Sequence, residues 1–367
     1  MDVNFLSART FKAHCCTYPI RVFSDQLKEL GIKVKFFFKD DHSLDDCDVL
    51  CLSMEAFGKR RLNPNPPDRF EFLEYYRPRV KMIIWFDMTD STGTTQFSVL
   101  PYVDLYAKNQ LLKDRSLYTK QYYGNRYFTD YYHNLFGIKD KICIDPRSPC
   151  PRESIEKLAL SWNLGLGDFH TYTKWGKRFR VILPRYNYYK NLTDANTQRD
   201  IDITYRVAMN YPLATISYQR KEALTQLSKL AENKEYKVFY EGKIPYAQYM
   251  NELRHSRIVP SPFGLGEICF RDFECFLAGA TLFKPDKSHL KTWPEFYKPG
   301  ITYEPYAWNY SDFQEKLIKL LDNPDKCHRI AQAGQARYLE SISDKGGEIF
   351  AKHFANIIQK AINNSNN

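Results

Sequence analysis

The stretch of this 367-residue chain best suited to chemistry is Ser261-Pro-Phe-Gly-Leu-Gly-Glu-Ile-Cys-Phe-Arg-Asp-Phe-Glu-Cys-Phe-Leu-Ala-Gly-Ala-Thr-Leu-Phe283. It reads as a strand end, a glycine loop, a helix, a glycine and a second strand. Gly264 and Gly266 allow a backbone with positive φ and close approach to a ligand. A helix from about Glu267 to Ala278 would then direct its free N–H groups and positive dipole end into the crevice. A diphosphate suits such a cradle. Phe270, Phe273 and Leu277 fall at i, i+3 and i+7 and form the expected buried stripe, while Arg271 and Glu274 share a different face. A guanidinium at Arg271 can bind phosphate oxygens in bidentate fashion, and the Glu274 carboxylate can accept from two vicinal ribose hydroxyls. The alternative is an Arg–Glu surface pair, which this spacing also produces. Glu267 either contacts a ligand or complements the helix N-terminus.

Further basic candidates stand after apolar strands, where side chains face the cleft of an open α/β sheet. Arg206 follows the strand Ile201 to Tyr205 and is the better placed to neutralise a diphosphate; Arg185, in Leu-Pro-Arg-Tyr, is the weaker analogue, and Arg220 with Lys221 precedes the next helix. Asp87 ends the apolar strand Met82 to Phe86, and Asp90 follows in the polar turn Met88 to Thr95. Either carboxylate could take a proton as a general base, and Asp90 or Ser91 could equally cap a helix. His14 and His133 are spare bases with a structural role as the simpler reading. Asp200 and Asp202 have the spacing of a metal-holding pair but flank the start of a strand, the wrong end for a cleft ligand. No metal ligand set is assigned.

The elements that must carry these groups alternate in both halves, which predicts an α/β chain of two Rossmann-like domains facing a cleft. Residues 1–160 form the first domain, 161–177 a linker broken off from the Pro146, Pro149 and Pro151 region, 178–345 the second domain, and 346–367 a final helix with a frayed tail. Helices are expected at Ile20 to Leu30, from about Gln110, at Arg220 to Leu230, around Tyr246 to Leu253, and at Ser311 to Leu321, Pro324 to Ser341 and Gly347 to Lys360. Strands are expected at Ile32 to Phe38, Val49 to Leu52, Val80 to Phe86, Tyr102 to Tyr106, Phe179 to Leu183, Ile201 to Tyr205, Tyr236 to Tyr240, Ile258 to Pro260 and Thr281 to Phe283. The tyrosines between Tyr118 and Phe136 are expected to pack with hydroxyls at the surface rather than to stack on sugars.

The Ser261 to Phe283 segment resembles the nucleotide-sugar-binding core of GT-B glycosyltransferases, in particular the group 1 and exostosin-like branches. The resemblance spans Tyr236 to Pro285 in detail and the remainder as an order of elements. It implies that Glu274 binds the donor ribose, Arg271 the diphosphate, and Gly264, Gly266 and Glu267 the phosphates or sugar. It also implies a glycan or lipid-linked acceptor, and a final helix that crosses back onto the first domain. Many retaining members place two glutamates eight positions apart, whereas Glu267 and Glu274 are seven apart, so stereochemistry is not inferred. The rival reading is a non-catalytic sugar- or nucleotide-binding module of the same fold, which would keep Glu274 and lose turnover. A Rossmann oxidoreductase is disfavoured because no strand is followed by GxGxxG with an acidic residue about 20 positions on.

Composition sets the outer limits. A 43% hydrophobic and 16% aromatic content supplies real cores. The formal charge of +10 is dispersed among acids, and short runs such as Lys59-Arg60-Arg61 carry no nucleic-acid pattern, so no nucleic-acid partner is expected. Peripheral contact with an anionic membrane surface is the more natural use of that charge. No window reaches the roughly 18 apolar residues of a membrane span, and no leader precedes Phe11, so a cytoplasmic protein is expected. Nine cysteines without paired CxxC spacing read as buried thiols, and the Asn191 and Asn309 sequons carry little weight without a leader.

Overall fold

The computed structural model describes residues 1–58, 67–167, 192–232, 235–240, 242 and 244–365. The expected strand Phe179 to Leu183 and the candidate Arg185 lie outside them, as do the Asn191 sequon and the Lys59 to Arg61 cluster.

The first half runs β1 (Asp2–Leu6), α1 (Phe11–Val22), α2 (Ser24–Glu29), β2 (Lys33–Phe37), β3 (Val49–Ser53), α3 (Arg69–Tyr76), β4 (Ile83–Asp87), β5 (Leu105–Lys108), β6 (Gln110–Leu112), α4 (Tyr127–Phe136) and β7 (Leu158–Leu160). Its six-stranded sheet has the order β2-β1-β3-β4-β5-β7 with parallel pairing throughout. The central strands β3 and β4 are buried along their whole length, which explains their unbroken apolar sequence where an alternating one would mark a half-wet sheet.

The second half contains β8 (Ile201–Thr204), α5 (Ala214–Glu232), β9 (Val238–Phe239), α6 (Tyr246–His255), β10 (Ser256–Pro260), α7 (Phe270–Leu277), β11 (Thr281–Pro285), β12 (Leu290–Thr292), β13 (Glu304–Tyr306), α8 (Phe313–Leu321), α9 (Pro324–Ser341) and α10 (Asp344–Ser365). Its five strands are ordered β13-β11-β10-β8-β9, again parallel. Two parallel sheets wrapped by helices make the chain an α/β protein with two Rossmann-like halves. None of the described helices is long and apolar enough to cross a membrane.

Two features tie the halves together. Gln110–Leu112 is a strand, not the start of the expected helix, because it pairs antiparallel with Leu290–Thr292 across the junction and the Tyr118 hydroxyl accepts from Leu112 N at 3.0 Å. Tertiary pairing here overrides a local pattern. The final helix α10 packs against β4, β5, α1 and α2, with Phe350 beside Phe23 and Trp162 and Phe354 beside Phe86. Burial of each such phenylalanine stabilises the junction by about 1.5–3 kcal/mol. One apolar core consequently runs from Val3 and Phe86 of the first half through Phe273 and Tyr338 of the second.

The expected helix at Ile20 to Leu30 is two helices that part at Phe23, the first of them beginning as far back as Phe11, where the Thr10 side chain caps Ala13 N at 3.1 Å.

Candidate active site

The parallel strands of the second sheet end at a cleft of about 1160 Å³. The segment after β8 (Arg206 to Tyr211), the face of α6 bearing Tyr246 and Tyr249, and the first turns of α7 line it together with Arg220. A cleft outside the carboxyl ends of parallel strands is where open α/β sheets take ligands.

Helix α7 begins at Phe270, three residues later than its sequence suggests, because the Asp272 carboxylate folds back to accept from Cys269 N at 3.2 Å. The same carboxylate accepts from Ser261 Oγ at 2.7 Å and from the Tyr297 hydroxyl at 2.6 Å, and lies 3.0 Å from Lys284 Nζ. A fully buried ion pair with every acceptor used fixes the loop against β11. Phe273 and Leu277 are buried as expected, whereas Phe270 lines the cleft.

Arg271 and Glu274, one helical turn apart, both face the cleft. Glu274 is only 5% exposed. It accepts from the Tyr249 hydroxyl at 2.9 Å and the Tyr246 hydroxyl at 3.2 Å, one on each carboxylate oxygen. Burial pushes its carboxyl above the usual range, opposed by Tyr249, Arg271 and Tyr246. Burial works against the Arg271 charge, yet Tyr249, Cys269 and Glu274 more than offset it and hold the guanidinium firmly protonated. Arg271 donates from Nη2 to the Arg206 carbonyl at 2.9 Å, while its Nε is buried without a partner among the described residues. An unmet buried donor costs about 1–3 kcal/mol, and such groups cluster where a ligand completes them.

Arg206 lines the cleft but is already bound in bidentate fashion to Glu252, with Nε–Oε2 at 2.9 Å and Nη2–Oε1 at 3.1 Å. Its charge is therefore largely neutralised before any ligand arrives. Arg220 is the better cation for that role. It lies 4.4 Å over the Tyr211 ring and donates to the carbonyls of Ala208 at 2.7 Å and Phe263 at 3.3 Å, with no carboxylate paired to it among the described residues. Lys221 points to solvent.

The glycine loop differs from expectation in two respects. Neither Gly264 nor Gly266 has a positive φ. Gly266 is required instead by close packing, since a Cβ there would stand 1.5 Å from the Asp90 carbonyl oxygen; at Gly264 the nearest atoms would be Cys269 Sγ at 3.1 Å and Arg220 Nη2 at 3.3 Å. Glu267 is 0% exposed and crosses to the first half. It accepts from Thr92 Oγ1 at 2.6 Å, Ser91 Oγ at 3.1 Å, Thr92 N at 3.2 Å and Gln110 Nε2 at 3.4 Å. It neither faces the cleft nor caps α7, so its assignment to ligand binding is corrected to that of a junction residue.

The facing edge of the first half holds the two candidate bases in different states. Asp87 is 0% exposed, accepting from the Tyr106 hydroxyl, from Thr89 N at 2.8 Å and from Lys108 Nζ at 3.2 Å. Its proton-accepting role is corrected on that ground, because no substrate hydroxyl can reach it. Asp90 has a side chain 42% exposed and pairs with Lys12 Nζ at 3.5 Å. Lys12 also lies 3.7 Å from the buried Glu55. Burial lowers the Lys12 ammonium, but Asp90, Cys16 and Glu55 outweigh it and hold it raised. Lys12 and Glu55 were missed by sequence reasoning, although Glu55 closely follows the strand β3, the signal that drew notice to Arg206 after β8.

The remaining candidates are structural. His133 Nδ1 meets the Ile138 carbonyl at 2.7 Å and its ring stacks on Tyr123 at 3.8 Å, and His14 packs edge-on to Tyr18. Asp200 pairs with Lys237 at 3.0 Å and Asp202 with Arg257 at 2.8 Å, both at the start of β8 away from the cleft. Tyr118 and Tyr132 are core residues.

Two Rossmann-like halves, with an Arg–Glu pair on the helix after a glycine loop at the strand ends of the second sheet, are the arrangement that the resemblance to GT-B enzymes implies. Residues 195–343, the part of the chain that carries every donor-side residue above, match the family model described as glycosyl transferase-like. Among solved structures the chain is similar to an alpha-glucosyltransferase in complex with UDP and a 13-mer DNA containing a central A:G mismatch (10% identity, 98% of this chain and 100% of that one, TM-score 0.49). It is also similar to Alr3699/HepE of Anabaena in complex with UDP (12% identity, 98% and 100%, TM-score 0.43) and to TarM (9% identity, 84% and 54%, TM-score 0.43). Likeness at this level is silent on chemistry. A search of curated proteins gives no match.

Proposed function

We propose that the chain transfers a sugar from a nucleotide diphosphate donor to a hydroxyl of a glycan or lipid-linked acceptor, in the synthesis of a surface polysaccharide or glycoconjugate. The observation that carries this reading is the Glu274 carboxylate, gripped by two tyrosine hydroxyls beside a guanidinium with an unmet donor, in a cleft within the glycosyl transferase-like segment. Glu274 takes the two ribose hydroxyls, and Arg271 and Arg220 take the diphosphate.

In direct displacement the acceptor oxygen attacks the anomeric carbon as the carbon–oxygen bond to the diphosphate breaks. Asp90, exposed beside Gly266, takes the hydroxyl proton, and Lys12 holds its carboxylate in place. The two arginines stabilise the charge that builds on the leaving diphosphate, so the reading invokes no metal and no cofactor. A lipid-linked acceptor would bring the protein to a membrane surface on its cytoplasmic side, which the net charge of +10 favours when the lipid is anionic.

Calorimetric titration with UDP, GDP, CMP and dTDP, repeated on Glu274→Ala and Arg271→Ala, tests the donor site. Selective binding of one nucleotide that both variants weaken is the expected result. Absence of binding to all four by the folded protein would overturn it. Binding without turnover in the presence of any acceptor would favour the non-catalytic module instead.

A further inference from the structure

Building on the donor-site reading, we propose that Tyr246 and Tyr249 are positioning residues that set the plane of the Glu274 carboxylate, and so select a ribose over a 2′-deoxyribose in the donor.

Tyr246 and Tyr249 stand three residues apart on α6, so both project from one face toward α7. Their rings lie 6.1 Å apart, and each hydroxyl donates to a different Glu274 oxygen, at 3.2 and 2.9 Å. A carboxylate has about four acceptor positions. Two tyrosine donors occupy one on each oxygen and leave one on each. The two that remain are matched to a pair of adjacent hydroxyls and not to a single one. The Arg271 charge also acts on the Tyr249 phenol, so one phenol couples the ribose-binding and phosphate-binding groups. Burial and the Glu274 charge push this phenol far up, and it stays a donor across the working pH range. With one 2′-hydroxyl missing, a buried carboxylate oxygen loses its partner, the kind of loss by which polar sites reject analogues strongly.

The test is calorimetry on wild type, Tyr249→Phe, Tyr246→Phe, the double variant and Glu274→Ala. Each is titrated with UDP, GDP, CDP and ADP and with the corresponding 2′-deoxynucleoside diphosphates. Phenylalanine retains the ring packing, and thermal unfolding verifies that the variants fold. Wild type should prefer the ribonucleotide by about tenfold or more. Each single variant should shrink that ratio, and the double variant should bring it near one while still binding through the diphosphate. If the double variant keeps the wild-type ratio and Glu274→Ala loses it, the tyrosines do not position Glu274, and the ribose site stands without them. If wild type itself binds both forms equally, or neither, the selection and the ribose role of Glu274 fall together.

Discussion

Gly266 and Asp90, from opposite halves of the chain, meet backbone to backbone: a Cβ on the glycine would stand 1.5 Å from the Asp90 carbonyl oxygen. The donor-side loop is thereby set against the turn that bears the proposed base, and the Leu265 carbonyl accepts from Arg126 Nε at 2.7 Å beside it. No side chain can be inserted without parting the halves. Gly266→Ala should therefore reduce transfer by at least tenfold and lower stability by about 1–3 kcal/mol. Gly264→Ala, whose new methyl meets only the ends of Cys269 and Arg220, should cost far less. Paired urea melts and transfer assays distinguish the two.

The two aspartates at the end of β4 should separate stability from catalysis. Asp87→Asn breaks a buried pair with Lys108, a loss of about 3–5 kcal/mol. Asp90→Asn removes an exposed charge, so its urea midpoint should stay close to wild type while transfer falls by 100-fold or more. Unchanged turnover in a well-folded Asp90→Asn protein would remove Asp90 from the mechanism.

Glu274 makes opposite contributions to folding and binding as pH changes. Its carboxyl is raised in the folded chain, so the native state holds the proton more tightly than the unfolded one, and the carboxylate weakens the fold at pH above its folded pKa. That penalty is relieved as pH falls through the folded pKa toward the ordinary carboxylate value. The groups that face it are Tyr246 and Tyr249 on α6 and Arg271 and Asp272 on α7. Ribonucleotide affinity should decline over the same descent, because the ionised form is the acceptor. Glu274→Gln should bind weakly at every pH, and its stability relative to wild type should be greater at pH 8 than at pH 5 by urea denaturation.

Glu267 is expected to act as a latch. Glu267→Ala leaves Ser91, Thr92 and Gln110 donors unmet in a buried junction, at about 1–3 kcal/mol per group. Amide exchange in residues 88–95 should accelerate more than exchange in β10, as the turn loses its partner while the sheet does not. Equal acceleration in both would indicate global loosening instead.

The sequence made some of this plain and concealed the rest for physical reasons. Helix α9 was legible to the residue, because Asn323 caps Lys326 N at 2.9 Å and Pro324 holds the first helical position, both local signals. The pairing of Arg271 with Glu274 on one helix face was legible from spacing alone. The partner of Arg206 was not: Glu252 arrives on another helix, and no local pattern marks it as a counter-ion. The same holds for Lys12, Glu55 and Asp90, which come from the first turn of α1 and from the segments after β3 and β4 and meet only after the sheet forms. The strand at Gln110 was hidden because its partner lies at Leu290 to Thr292 in the other half.

Helix α10 has a consequence for how the chain is made. Its phenylalanines cover Phe23, Phe86 and Trp162, an apolar face built entirely from the first half. During synthesis that face leaves the ribosome long before Asp344 to Ser365 does. Domains that finish early ordinarily fold early. Here the first sheet can form but stays uncovered on that face, its apolar surface open to chaperones and to aggregation, until the second half has been translated. The two halves mature together, whichever begins first.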